Sequence, residues 1–147
     1  PTWGQRPVDW TVEPPILGDG TLTLRELTLA DAPSLCAELM TAEVTRFTSP
    51  PTSVAGFEAF IRWAHIRRAH GRYLCFGIVP AGQSLAVGLL QLLIDETDAD
   101  AGEWGFILGQ AYGDTGRFVA AARRVVDFAF AYMGPLRLYA LVPHRIH

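Results

Sequence analysis

The sequence contains no lysine and no asparagine, and all 12 of its basic residues are arginine. Without lysine there is no Schiff-base nucleophile, no pyridoxal-phosphate linkage and no phosphate-loop lysine. Without asparagine there is no acceptor for N-glycosylation. Cysteine is scarce. Cys36 and Cys75 lie in apolar stretches with no CxxC pair and no metal-ligand spacing, so both read as small buried hydrophobes of a protein in a reducing cytoplasm. Charge is sparse too: 18% of residues are charged, and the net charge is −3. That balance gives no electrostatic case for nucleic acid or an anionic membrane as partner. The longest apolar run, Leu85 to Ile94, contains Gly88 and Gln91 and is too short to span a bilayer. Residues 1–13 lack the basic-then-apolar order of a signal peptide.

What is present is a 147-residue chain that is 50% hydrophobic, a composition far from that of a disordered segment and a length that suits one core. Residues 1–20, with Pro7, Pro14, Pro15, Trp3 and Trp10, read as an irregular arm whose tryptophans pack on the domain formed by 21–147. Alternation over 21–26 predicts a first strand. In LTLADAPSLCAELM, Asp31 is placed to cap a short helix with Pro33 in its first turn, and Leu35, Leu39 and Met40 form its buried stripe. The SPPTS break at 49–53 precedes a second helix, capped by Ser53 and ended by Gly71. Its apolar face is assigned to Phe57, Phe60, Ile61, Ala64 and Ile66. Three strands are expected next, at Tyr73 to Val79, Leu85 to Ile94 and Glu103 to Leu108. Their short turns predict antiparallel pairing. The strongest period is in 117–133, RFVAAARRVVDFAFAYM, an amphipathic helix stopped by Gly134 and Pro135 before a last strand at 136–142.

One junction combines the features of a phosphate site. A strand ending at Leu108 passes through GQAYGDTG into the long helix, and Gly109, Gly113 and Gly116 allow close backbone approach at a helix N-terminus. An ordinary glycine-bearing turn has the same appearance.

Taken in order, GTLTLRELTLADAPSL, AEVTRFTSPP, VGLLQL, GEWGFIL and YGDTGRFVAAARRVVDFAF resemble the GNAT superfamily of acyl-CoA N-acyltransferases. The branch they resemble most contains the ribosomal-protein alanine N-acetyltransferases. The resemblance implies an α+β fold: a mixed, mostly antiparallel sheet with flanking helices, whose fourth and fifth strands splay to admit acetyl-CoA. It implies transfer of acetyl from acetyl-CoA to a primary amine, a peptide N-terminus or a small amine. It carries pantetheine binding onto Phe106, Ile107 and Leu108, and pyrophosphate binding onto Gly113, Asp114, Thr115, Gly116, Arg117 and Phe118. Glu103 matches the family's strand glutamate and is the candidate base. The partners implied are acetyl-CoA and the amine, with no metal, no nucleic acid and no membrane; a homodimer is admitted.

Three departures from the family pattern stand beside the resemblance. The turn can be aligned with Thr115-Gly116 or with Gln110-x-x-Gly113 as its phosphate-binding pair, and Asp114 lies where a carboxylate repels pyrophosphate. Ala120 replaces a family glutamate. The family's C-terminal segment beyond VPHRIH has no counterpart in these residues, so the domain is expected to be incomplete or shortened there. An inactive binding or dimerisation module is the alternative reading.

Several further groups have plain structural explanations. His65 and His70 end the second helix, His144 and His147 flank the last residues, and Asp95, Glu96, Asp98 and Asp100 read as a solvated turn rather than a calcium loop. Tyr139 on the last strand reads as a packing residue, with a phenolic acid as its functional alternative.

Overall fold

Six strands form one sheet in the order in which they occur in the chain: β1 (Leu17–Gly18), β2 (Leu22–Glu26), β3 (Tyr73–Pro80), β4 (Gly88–Ile94), β5 (Ala101–Leu108) and β6 (Arg137–Leu141). The structure is a computed structural model. It describes residues 9–18, 20–40, 50–94, 101–109 and 137–141, with the helical positions Gly116, Ala120, Arg123, Arg124 and Asp127; residues 101–104, 106 and 137–141 are described by their backbone. β1 to β5 pair antiparallel, and β5 pairs β6 parallel. A parallel neighbour requires a crossover, and the helical positions at 116–127 lie in that connection. Arg123, Arg124 and Asp127 are exposed and Ala120 is half-buried there, as the 3.6-residue period predicts. The mixed, mostly antiparallel α+β architecture expected from the sequence is the one observed.

Two helices separate β2 from β3: α1 (Ala32–Leu39) and α2 (Val54–Ala69). Ser53 caps α2, its side chain accepting from the Gly56 amide at 3.0 Å. Gly71, at φ 72°, closes the helix through its amide to the Arg68 carbonyl at 2.8 Å. Leu35 and Leu39 from α1 and Phe57, Ile61 and Ala64 from α2 pack on Tyr73, Cys75, Val79 and Leu89 of the sheet. The other sheet face buries Leu24, Leu74, Phe76, Ile78, Leu90, Leu92 and Ile94. All eight residues of β3 are buried, which is why that strand reads as a continuous apolar run rather than an alternating one. Cys75 is buried as expected, and Cys36 is half-buried against the same core. Trp10 is buried and Leu17–Gly18 adds an edge strand, so part of the expected arm is structured; Trp3 lies outside the described residues.

Three local expectations require correction. Met40 and Ile66 are 38% and 58% exposed, so each lies off the buried stripe to which spacing assigned it. Met40 sits just past the last turn of α1, and α2 turns its buried stripe through Phe57, Ile61 and Ala64 instead. Asp31 occupies the N-cap position of α1 but makes no capping bond to it. Its carboxylate is fully buried. It accepts a bidentate pair from Arg25 at 2.8 and 2.9 Å, the Thr28 amide at 2.8 Å and the Ala86 amide at 3.0 Å. The ion pair with Arg25, six residues earlier on β2, takes the place of the cap because it is the stronger, charge-assisted use of the same oxygens. Arg25 also donates to the Ser84 carbonyl at 2.8 Å, and Ser34 Oγ to the Ala86 carbonyl at 2.7 Å. β2, α1 and the segment before β4 are thus clamped around one carboxylate.

Burial alone pushes the Asp31 carboxyl up, but the Arg25 fork and the Thr28 and Ala86 amides outweigh it and hold the group below its ordinary value. A carboxylate whose folded pKa lies below the unfolded one stabilises the fold above the unfolded value, about 3.9. That contribution is lost as pH falls through the folded pKa. Asp31→Ala should therefore reduce unfolding free energy by about 3–5 kcal/mol, the usual result of stripping one member from a buried pair. Urea titrations from pH 3 to pH 7 check this: the wild type should lose stability at the acid end, and the variant should show much less of that acid dependence.

Candidate functional site at the end of β5

β5 is held on one side by β4, in register from Gly88↔Leu108 to Ile94↔Gly102. On its other side the described pairs with β6 run only from Ala101↔Arg137 to Gly105↔Leu141. Among the described residues, Phe106, Ile107 and Leu108 therefore have no strand partner on the β6 side. Which backbone groups face that side follows from one hydrogen bond. The Gly109 amide donates to the Val87 carbonyl at 3.0 Å, on the β4 side. Main-chain groups alternate along a strand, so Ile107 and Gly105 also turn theirs to β4. Phe106 and Leu108 turn their N–H and C=O groups to the opposite edge. Unpaired strand groups form a template for an extended ligand that offers its own amides.

Glycines bring this end of the strand close to its neighbours. A Cβ on Gly88 would lie 2.6 Å from the Ile107 carbonyl oxygen, 2.7 Å from Leu108 Cδ1 and 3.1 Å from its Cα. The register places Gly88 opposite Ile78, yet the Val87 amide donates to the Ile78 carbonyl at 2.9 Å, so two residues oppose one. This is a β-bulge at the start of β4. A Cβ on Gly109 would lie 2.6 Å from Oε1 of Glu38 on α1 and 3.2 Å from the Val87 carbonyl. Gly109, read in the sequence as allowing close approach, is needed at the exit of β5. Gly88 and Glu38 were not identified from sequence. The isolated glycine inside a strand pattern was the available signal for Gly88; Glu38 carried none.

Glu103 lies on β5 as the cross-strand partner of Leu93 and the parallel-strand partner of Tyr139. The register thus brings together the two strand residues for which acid–base roles were considered. Gly116 is helical and exposed, at the start of the crossover segment. Gly113, Asp114, Thr115, Arg117 and Phe118 lie outside the described residues, as do His144, His147 and the acidic group at 95–100.

Other nucleophiles and bases are committed elsewhere. Burial pushes the Cys75 thiol up to about 12, so it holds its proton at neutral pH and cannot serve as a thiolate nucleophile. His65 Nε2 donates to the Leu27 carbonyl at 2.7 Å, and Arg68 binds both the Glu26 carboxylate and the Thr11 carbonyl. These bonds fasten α2 to β2 and the N-terminal segment. Among the described residues no group of three or more His, Cys, Asp or Glu converges as a metal site, and no helix is long and apolar enough to cross a membrane.

Comparison with known proteins agrees with this geometry. Residues 21–144 match a family model described as an acetyltransferase (GNAT) domain. Among solved structures, the ribosomal-protein-S5-alanine acetyltransferase of Vibrio fischeri is similar at 16% identity and a TM-score of 0.68, over 79% of this chain and 67% of that one. A ribosomal L7/L12 alpha-N-protein acetyltransferase, in its apo form, is similar at 18% identity and a TM-score of 0.71, over 86% of this chain and 70% of that one. The Microcin C7 self-immunity acetyltransferase, solved with acetyl-CoA and AMP, is similar at 16% identity and a TM-score of 0.68, over 80% of this chain and 67% of that one. At these identities the likeness is one of fold. The chain spans about two thirds of the length of these structures. No curated protein sequence matches it.

The close approach at Gly88 makes a direct prediction. Gly88→Ala should force β4 and the end of β5 apart, lowering stability by about 1–3 kcal/mol as overpacking does. Amide exchange should quicken at Leu89 and Ile107, whereas Tyr73 and Leu74 at the far end of β3 keep their protection.

Proposed function

The chain belongs to the acetyltransferase (GNAT) domain family, and from that premise we propose that it is an acetyl-CoA-dependent N-acetyltransferase acting on a primary amine. The observation that carries this reading is the direction of the main-chain groups at the end of β5. Phe106 and Leu108 turn main-chain donors and acceptors outward just where the described β6 pairing ends at Gly105. An extended pantetheine arm has two amides and fits that edge by strand-like pairing, with Ile107 holding the strand in place through β4. The turn that follows, Gly113, Asp114, Thr115, Gly116, Arg117 and Phe118, is assigned to the pyrophosphate by the family resemblance. Backbone amides at a helix start suit that charge.

Acetyl-CoA supplies a thioester whose carbonyl carbon is open to an amine: the C–N bond forms, the C–S bond breaks, and coenzyme A leaves as a thiolate that takes up a proton. Ammonium ions do not attack, so the protein's part is to hold the amine and remove its proton. Glu103, three positions before Phe106 on the same strand, is assigned that role, directly or through one water. Pairing of both reactants to fixed backbone supplies orientation, and outward N–H groups supply hydrogen bonds to the thioester oxygen. The direct path needs no covalent enzyme intermediate, in keeping with the protonated Cys75. The acceptors named for the ribosomal-protein relatives, alanine or another residue at a protein N-terminus, place a peptide amine among the candidate acceptors.

Three variants test the assignment. Glu103→Gln should lower turnover at neutral pH by about 10²–10⁴-fold and leave acetyl-CoA affinity nearly intact by calorimetry; full activity would return Glu103 to a structural role. Gly116→Arg should abolish acetyl-CoA binding, and unchanged affinity would remove the turn from the site. Asp114→Gly should tighten binding about tenfold, equivalent to roughly 1.4 kcal/mol, and more in low salt than in high. Weaker binding by that variant would show that Asp114 orders the turn for its ligand.

A further inference from the structure

The register of the sheet places four residues in one row across four strands: Tyr73 on β3, Leu93 on β4, Glu103 on β5 and Tyr139 on β6. Cross-strand partners share a face, and Tyr73 marks which face this is. Its ring lies 4.9 Å from that of Trp63 on α2, centroid to centroid, and Trp63 lies 6.0 Å from Phe60. Cover on this face falls away along β4. Leu89, nearest the unpaired end of β5, is 4% exposed beneath α1 and α2, Gln91 is half-buried, and Leu93 is 42% exposed. On the opposite face the same strand stays buried through Leu90, Leu92 and Ile94. Trp63 is itself 45% exposed. The surface from β5 to α2 thus runs over an exposed leucine to an exposed indole backed by a tyrosine. Tyr73 is buried and donates its hydroxyl proton to Gln91 Oε1, so it supports the indole from beneath and leaves Leu93 and Trp63 as the exposed apolar surface.

We propose that Leu93 and Trp63, with Tyr73 as the buried support of the indole, form an acceptor subsite that takes an apolar, ring-sized group carried by the amine. This rests on the reading of Glu103 as the base. Strands lie about 4.8 Å apart, so Leu93 is one spacing and Tyr73 two spacings, about 10 Å, from the backbone of Glu103. An amine nitrogen near Glu103 joined by two carbons to a ring sets that ring over Leu93 and against Trp63. The row on β3 and β4 and the row beside it, Cys75 and Gln91, carry no formal charge at neutral pH. A charged substituent finds no counter-ion among those four sheet residues, whereas an apolar one removes exposed indole and leucine surface from water.

The test uses phenethylamine, ethanolamine and 1,5-diaminopentane as probes, titrated calorimetrically into the whole chain, alone and with acetyl-CoA. Phenethylamine should bind at least tenfold tighter than ethanolamine. Trp63→Ala should remove that advantage and Trp63→Phe should keep most of it, while acetyl-CoA affinity is the same in all three proteins. In turnover the loss should fall on KM for phenethylamine, with kcat unchanged. Equal binding of phenethylamine and ethanolamine overturns the subsite, even if acetyl transfer to some amine is seen and the proposed activity stands. Tighter binding of 1,5-diaminopentane overturns it in favour of a cation held over the indole face. A Trp63-dependent dimer that displaces phenethylamine overturns it in favour of a second copy of the chain. Binding of phenethylamine that depends on Trp63, with no acetyl transfer to it or to ethanolamine, upholds the subsite and removes the activity.

Discussion

The buried Asp31 carboxylate is the constraint on which the arrangement of this domain turns. It has no exposed surface, so every lone pair it uses must be met by protein, and the donors come from three separate places in the chain. Arg25 is on β2, Thr28 precedes the turn into α1, and Ala86 precedes β4. A charge removed from water without partners is prohibitively unfavourable, which makes the three segments dependent on one another. The consequence reaches the site. Fixing Ala86 fixes where β4 begins, and fixing the start of α1 sets Glu38 over Gly109 at the exit of β5.

From that anchor the two halves of the sheet surface acquire different characters. Leu35 and Leu39 of α1, together with α2, close over Leu89. Further along the same strand Leu93 is left exposed. This face of the sheet is therefore closed at its Leu89 end and open at its Leu93 end. The closed end depends on absent side chains as much as on present ones. Gly88 and Gly109 occupy positions where a Cβ would strike backbone or a carboxylate, and neither glycine sits there for the sake of an unusual φ.

The elements were legible in the sequence where one physical signal dominated. Ser53 and Gly71 bound α2 because a hydroxyl cap and a left-handed closure are local requirements. The strands expected at 73–79 and 85–94 announced themselves as apolar runs between turns, although the second begins only at Gly88. The errors came where a distant partner intervened. Asp31 has the residue type and position of a helix cap, but Arg25 and Ala86 claim its oxygens. Ile66 has the residue type of a core position, yet nothing on the sheet reaches it. For the site, the resemblance carried roles onto Glu103, Phe106, Ile107 and Leu108, and the glycine pattern drew attention to Gly109. The close approach at Gly88 and the exposure of Trp63 were not legible, because both depend on what lies across a strand or a helix rather than along the chain.

The sequence by itself determined the element types, their order, the α+β class and the family, since hydrophobic period, caps and turn residues act over a few positions and the motifs recur in a definite order. Only the tertiary structure decided how the strands are ordered and paired, which main-chain groups of β5 turn away from β4, and that Tyr73, Leu93, Glu103 and Tyr139 stand in one row. The reason is physical. A strand's period of two is a local property, but its register against a neighbour is a sum over the whole pairing, and a slip of one residue would turn every side chain to the opposite face.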